Sequence, residues 1–387
     1  MAEQGSTPDV LPEGVMQLFH KEFAEAYAEI GRLNLAVFGK TGSGKSTLVN
    51  AVFGKNVAPT GIGEPVTKGL NYYIHSSGFL GVYDSEGFET GTSGDSILAG
   101  LARIIDAKRA QPVDQRIHAA WYVVRWSDRR FEKAQQDFVR SISNVGLPVI
   151  VVMTQVPARL TPEGLEVHPE AREFARYIED LGLPIRVDGH VYLTNALEDS
   201  FTHSVVFGLT ELVEATHRVI PDGVAQALTS AQQVDVHRKK EAAAGVIKQA
   251  ALVAGGIGAV PIPIADAALL VPNQVAMIAR ITAIYGLPSS RSRALSIAGA
   301  AILTGGATQA GRYAVTQLLR FVPGGLVAGS AISATVAATL TRAIGVAWSR
   351  VCEYALTLSP ADQVQFLDED VKDQFLTYLR SSTSGDK

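Results

Sequence analysis

The run Gly39-Lys40-Thr41-Gly42-Ser43-Gly44-Lys45-Ser46-Thr47 fits the pattern G-x-x-x-x-G-K-[ST]. It follows the apolar stretch LNLAVF and opens the helical stretch STLVNAVF, which is where a phosphate-binding loop belongs. The glycines let the backbone wrap an anion in conformations a side chain would forbid, while peptide N–H groups and a helix N-terminus turn positive potential inward. Lys45 would then reach the terminal phosphates of a nucleotide, and the Ser46 hydroxyl would ligate Mg2+.

Such a loop needs partners that sense the last phosphate. The stretch FLGVY ends in Asp84-Ser85-Glu86-Gly87, a D-x-x-G in which Asp84 would hold the magnesium through water and the Gly87 amide would touch the terminal phosphate. Between the two motifs, APTGIGEPVTK carries Thr60 and Thr67. Thr67 is the better candidate to close the metal shell, because the strand-like GLNYYIHSS follows it.

These residues need a scaffold that gathers loops at one edge. From Leu33 to about Pro221, β-branched runs (LAVFG, FLGVYD, AAWYVV, PVIVVMT, VYLT) alternate with amphipathic ones (ILAGLARII, FEKAQQDFVRSI, AREFARYIEDL, LTELVEATHRVI). That alternation predicts βαβ units, an α/β fold whose mostly parallel sheet is flanked by helices. Val15, Phe19, Phe23, Tyr27 and Ile30 predict a preceding amphipathic helix. Beyond about residue 225 strand signals vanish, and Ala- and Gly-rich helices broken by Pro and Gly are expected. The expected domains are therefore an N-terminal helix over 1–31 packing on the helical domain, an α/β domain over 32–225, an all-α domain over 226–380 and a polar tail over 381–387. The junction is expected inside one continuous helix ending in His237-Arg238-Lys239-Lys240, a basic run that reads as a solvated face or a weak headgroup contact.

The segments GKTGSGKSTLVNAVFG, GEPVTKG and VYDSEGFE resemble the translation-factor class of P-loop GTPases, in its Era-like and immunity-related branches. Residues 242–345, with GAVPIPIADAALLVPNQVAMI, resemble a hydrophobic helical domain of unknown function fused to such GTPases in bacteria. The resemblance implies GTP binding, slow hydrolysis to GDP and phosphate, and frequent membrane association. It also implies a base-reading segment after PVIVVMT, where the family carries Thr-Lys-x-Asp. Here Thr154 matches, Gln155 replaces the lysine and Pro157 replaces the aspartate that pairs with guanine. Losing that carboxylate costs about 1–3 kcal/mol of discrimination. Glu163 or Glu166 could substitute, a backbone carbonyl could read the amine, or specificity could relax. Thr194-Asn195-Ala196 matches the final base-contacting position, which keeps guanine ahead of adenine. Phe88 stands where Ras-like enzymes place a water-orienting glutamine, so turnover should be slow without a partner or a second copy across the nucleotide. Gly42 stands where the potassium-activated branch has asparagine. Arg129 and Arg130 read as a solvated helix start or as charge near a dimer interface.

The whole chain bounds what remains. Its 387 residues carry 34 basic and 38 acidic side chains, a net charge of −4 that recruits neither nucleic acid nor an anionic surface globally. A single cysteine, Cys352, favours a reducing, cytoplasmic setting and excludes a disulfide framework. Three uncharged runs, 249–265, 294–311 and 321–341, suit either a tightly packed bundle or membrane contact. Only the last reaches the roughly 20 residues that span a bilayer. Asp266 would favour a helix start, and Pro272 would mark a kink or a later one. Three activities stay open at this level: a GTPase switch, a nucleotide-binding scaffold without turnover, and an ATPase of the same loop family.

Overall fold

Strand β1 (Leu33–Gly39) is buried at every position, the signature of a strand covered on both faces. The structure, a computed structural model, describes residues 13–54, 64–67, 70–85, 92–257, 262–263, 270–287, 331–332 and 334–383. The other sheet strands are β2 (Glu64–Thr67), β3 (Leu70–Ile74), β4 (Leu80–Ser85), β5 (Ala119–Arg125), β6 (Val149–Thr154) and β9 (Val191–Leu193). Their order is β2-β3-β4-β1-β5-β6-β9. The run from β4 to β9 is parallel, while β2 and β3 add antiparallel strands at one edge. A mostly parallel α/β sheet is what the alternating pattern predicts.

One face buries Phe38, Tyr122, Val124, Val151 and Met153 with Leu101 of α3 (Thr92–Lys108), Phe138 of α4 (Lys133–Asn144) and Ile178 of α5 (Pro169–Asp180). On the other, Trp121 stacks on Phe53 of α2 (Lys45–Phe53) at 5.7 Å. Its indole N–H donates to Thr216 of α6 (Leu209–Val219) at 3.0 Å. After β6 the chain forms a two-stranded hairpin, β7 (Ala158–Thr161) and β8 (Gly164–Val167), which is too short for a periodicity signal.

The chain divides into two compact units, Ile30–Asp235 and a second made of Met1–Glu29 with Val236–Lys387. The expected continuous helix at the junction is not observed. Helix α7 (Asp222–Ala231) stops and α8 (Val236–Ile257) starts afresh. Between them the buried Gln232 side chain accepts from the Val234 and Asp235 amides at 2.8 and 2.7 Å and donates to the Asp235 carbonyl at 2.9 Å. The basic run therefore opens α8, and neither sequence reading of it holds for Lys239. That side chain is wholly buried and donates to the Ile284 carbonyl at 3.0 Å. Ile284 is the last residue of α9 (Val271–Ile284), where a cation meets the negative helix end. Lys240 pairs with Glu353 at 2.9 Å.

In the second unit α1 (Glu13–Ile30) anchors through Tyr27, whose hydroxyl donates to the Leu287 carbonyl at 2.5 Å. Helices α8, α9 and α10 (Ala334–Thr357) share one core with α12 (Val371–Thr383), and Trp348 bonds Thr282 at its centre at 3.0 Å. Pro272 sits in the first turn of α9, where its missing N–H is harmless, so it marks a start and not a kink. Between α11 (Pro360–Gln365) and α12 a π turn, Phe366–Asp370, resets the apolar face toward Phe366, Leu367, Val371 and Phe375. Strands are not wholly absent here: Ile262–Pro263 (β10) pairs antiparallel with Ala331–Ile332 (β11). Asp266 and most of the three uncharged runs lie outside the described residues. No described helix is long and apolar enough to cross a membrane.

Candidate functional site

Apart from Thr67 on the antiparallel edge strand β2, the described residues expected to hold the nucleotide gather at the carboxyl ends of parallel strands, the edge where open α/β sheets hold ligands. The loop 39–44 follows β1, Asp84 lies near the end of β4, Thr154 ends β6 and Thr194 follows β9. The glycines are required by geometry. Gly39 adopts φ +147 and a Cβ there would lie 2.3 Å from the Val123 carbonyl; Gly44, capping α2, adopts φ +87. Thr41 and Gly42 are exposed at the loop tip, and Thr47 is half-buried in the first turn of α2.

Lys45 spans the loop it belongs to. Its ammonium donates to the Gly39 carbonyl at 2.9 Å and the Lys40 carbonyl at 3.2 Å. Burial lowers its pKa, and the negative charge of Asp84 works in the opposite sense. Lys45, Ser46, Asp84 and Tyr73 line one small cavity, with Val37, Val49 and Val82 as its apolar wall. A hydroxyl and a carboxylate beside a phosphate loop are the hard oxygen donors that Mg2+ prefers, so this donor set fits the ion. Ser43 Oγ is buried with no hydrogen-bond partner among the described residues.

The lysine is flanked by a second cation. Lys40 pairs with Glu132 at 3.3 Å, tying the loop to the residue that caps α4. Sequence reasoning missed this tether, since nothing in the spacing of residues 40 and 132 marks it.

Thr154 and Gln155 are brought onto the same loop. The Thr154 hydroxyl donates to the Ser43 carbonyl at 2.5 Å, and the Gln155 amide to the Gly42 carbonyl at 3.2 Å. Gln155 itself sits at φ +58. Val156 N–H donates to the Thr194 carbonyl at 3.1 Å, which joins the segments after β6 and β9. Thr194 is buried and bonds the Met153 carbonyl. Asn195 donates to the Leu197 and Val205 carbonyls at 2.6 and 2.9 Å, shaping the next loop, and Ala196 is half-buried beside it. Of the two acids that could replace the missing carboxylate, Glu166 is held by Arg159 at 2.7 Å across the hairpin. Glu163 is exposed in the turn between the hairpin strands. Arg129 pairs with Glu170 and lies 5.5 Å from the Trp126 ring centroid.

Thr67 closes β2, and the ladder Thr67↔Leu70↔Ser85 links its backbone to the end of β4. Thr60, Gly87 and Phe88 lie outside the described residues.

Residues 34–155 match the family model of 50S ribosome-binding GTPases, and residues 225–373 match that of a domain of unknown function, DUF697. A probable GTP-binding protein EngB of Thermotoga petrophila is 24% identical over 161 residues, 39% of this chain and 75% of that protein. Among solved structures, a probable GTP-binding protein engB is 15% identical, covering 48% of this chain and 97% of that one, with a TM-score of 0.32. Toc33 from Arabidopsis thaliana, in complex with Mg2+ and GMPPNP, is 16% identical over 56% of this chain and 93% of that one, with a TM-score of 0.34. Era of Aquifex aeolicus, bound to GDP and AlF4−, is 17% identical over 50% of this chain and 58% of that one, with a TM-score of 0.31.

Proposed function

We propose that this chain, which joins a P-loop GTPase domain to a C-terminal DUF697 domain, is a GTP-operated switch with slow, magnesium-dependent turnover. The observation that carries the reading is Lys45, curled onto the Gly39 and Lys40 carbonyls and sharing a cavity with Ser46 and Asp84. Those two carbonyl bonds hold the ammonium where a terminal phosphate would collect it. A phosphate oxygen offers a charged acceptor in place of a neutral one, roughly doubling the strength of each bond.

Ser46 and Asp84 would hold Mg2+, which when bound supplies positive charge against the phosphate oxygens. Gly39 to Thr47 would embrace the phosphates, and Thr154, Gln155 and Thr194 to Ala196 would border the base. Thr67 and Gly87 would respond to the terminal phosphate, with the β2–β3–β4 ladder linking their segments. Turnover is slow in this reading because Phe88 has no group to orient water. Contact of residues 242–345 with a membrane surface, and pairing of two copies across the nucleotide, are the further partners this switch would use in a cytoplasmic setting.

Phosphate release with GTP and ATP side by side tests the reading, with Lys45→Ala as control. The expected outcome is slow release that prefers GTP and falls at least about tenfold in the variant, the loss of one charged contact to the reacting phosphate. Binding without release would favour a scaffold, and release that prefers ATP would reject the GTPase.

A further inference from the structure

We propose that the base pocket selects 6-oxopurine nucleotides as a class and does not read the 2-amino group, so that inosine and guanosine nucleotides bind alike. The inference rests on the nucleotide site proposed above. Guanine and hypoxanthine differ only in the exocyclic amine at C2, so preferring guanine requires an acceptor aimed at that amine. A carboxylate is the strongest choice, because its two oxygens also take the neighbouring ring N–H.

The described side chains near the base segments are turned away from a base by the bonds they donate or the ion pairs they form. Pro157 has no side-chain acceptor, and its carbonyl takes the His168 amide at 2.9 Å. Gln155 donates its side-chain N–H to the Gly42 carbonyl at 3.2 Å, which turns the amide toward the phosphate loop. Thr154 is turned onto Ser43, and Asn195 onto Leu197 and Val205. Glu166 is paired with Arg159, and Glu163 lies beyond β7 in an exposed turn.

A donor remains. Among the described residues nothing accepts from the Ala196 amide, at the end of the segment stitched to Val156. An N–H there favours an oxygen at C6, which guanine and hypoxanthine share, and meets a second donor in the amine of adenine. A site that pairs with a substrate group rejects analogues lacking it, whereas a site without that pairing cannot.

Calorimetry of the full-length chain with Mg2+ and GDP, IDP or ADP tests this without interference from turnover. The expected result is a Kd for IDP within about twofold of that for GDP, with ADP at least about tenfold weaker. Pro157→Asp should restore a preference for GDP over IDP of about tenfold, the discrimination of one good bidentate pair. If the unaltered chain binds GDP about tenfold or more tightly than IDP, a backbone carbonyl reads the amine and the proposal is overturned. ADP binding as tightly as GDP would overturn it from the other side. Binding of none of the three removes the nucleotide site itself, a failure of the underlying reading and not of base selection. Should Pro157→Asp not fold, the GDP to IDP ratio of the unaltered chain decides alone.

Discussion

Thr154 and Gln155 brace the phosphate loop from positions 111 and 113 residues downstream of the carbonyls they hold. The residue types at the loop were legible because local spacing fixes them: G-x-x-x-x-G-K-[ST] must be contiguous for one turn to wrap an anion. The braces were not, because their partners are carbonyls, which carry no sequence signal. The same is true of His118. It is 4% exposed, accepts from the Asn34 amide on Nδ1 at 2.8 Å, and lies 2.6 Å from the Val113 carbonyl on Nε2. Burial pushes its pKa below the usual 6.5, against the two backbone contacts, and burial lowers His75 as well. Below about pH 6.5 the unfolded chain binds more protons at these sites than the folded one, so stability is complete above that pH and declines as pH falls toward the folded pKa. Urea unfolding between about pH 7 and pH 5 should show this loss, at no more than about 1.4 kcal/mol per pH unit per histidine. His118→Asn should flatten the slope; an unchanged slope would show that His118 binds its proton alike in the folded and unfolded chain.

Whole elements were more legible than single contacts. The sheet strands and their intervening helices followed from alternating runs because βαβ packing repeats the same burial problem each time. The elements that escaped were short or irregular: the β7–β8 hairpin, the β10–β11 pair, the π turn at Phe366–Asp370 and the Gln232 break between α7 and α8. Small residues in the helical unit gave a composition signal whose meaning only packing supplies. Gly345 of α10 is such a case, since a Cβ there would lie 2.6 Å from Ile247 Cγ1 of α8 and 2.9 Å from Met277 Sδ of α9. Three helices therefore converge at one glycine. Gly345→Val adds three carbons where none fits, at a cost of about 1–3 kcal/mol in strain. That exceeds the several tenths of a kcal/mol that valine gains over glycine in helix propensity. The urea midpoint of the helical unit should fall accordingly, and a midpoint at the unaltered value would mean that Ile247 and Met277 move aside freely.

At the scale of the molecule, helix α2 leads from the phosphate loop to the residues just before α8, within the Ile30–Asp235 unit. Helix α2 begins at Lys45, and near its far end the Val52 carbonyl accepts from the Gln233 amide at 2.8 Å. Gly54 leaves room there for the Gln233 side chain, which a Cβ would meet at 2.5 Å. Gln233 lies between Gln232, which organises the break, and Val236, where α8 begins. If a nucleotide shifted α2 by gripping its N-terminus, the shift would reach Gln233 and the break that precedes α8. Two states and a shared element are what coupling between sites requires. Hydrogen exchange of the full-length chain, loaded with GDP or with a non-hydrolysable triphosphate, should differ in residues 236–257 as well as in 39–54. Gln232→Ala removes the side chain that organises the break and should leave the difference at 39–54 intact while reducing it over 236–257. Equal exchange over 236–257 in both nucleotide states of the unaltered chain would mean that the helical unit does not read the switch through α2.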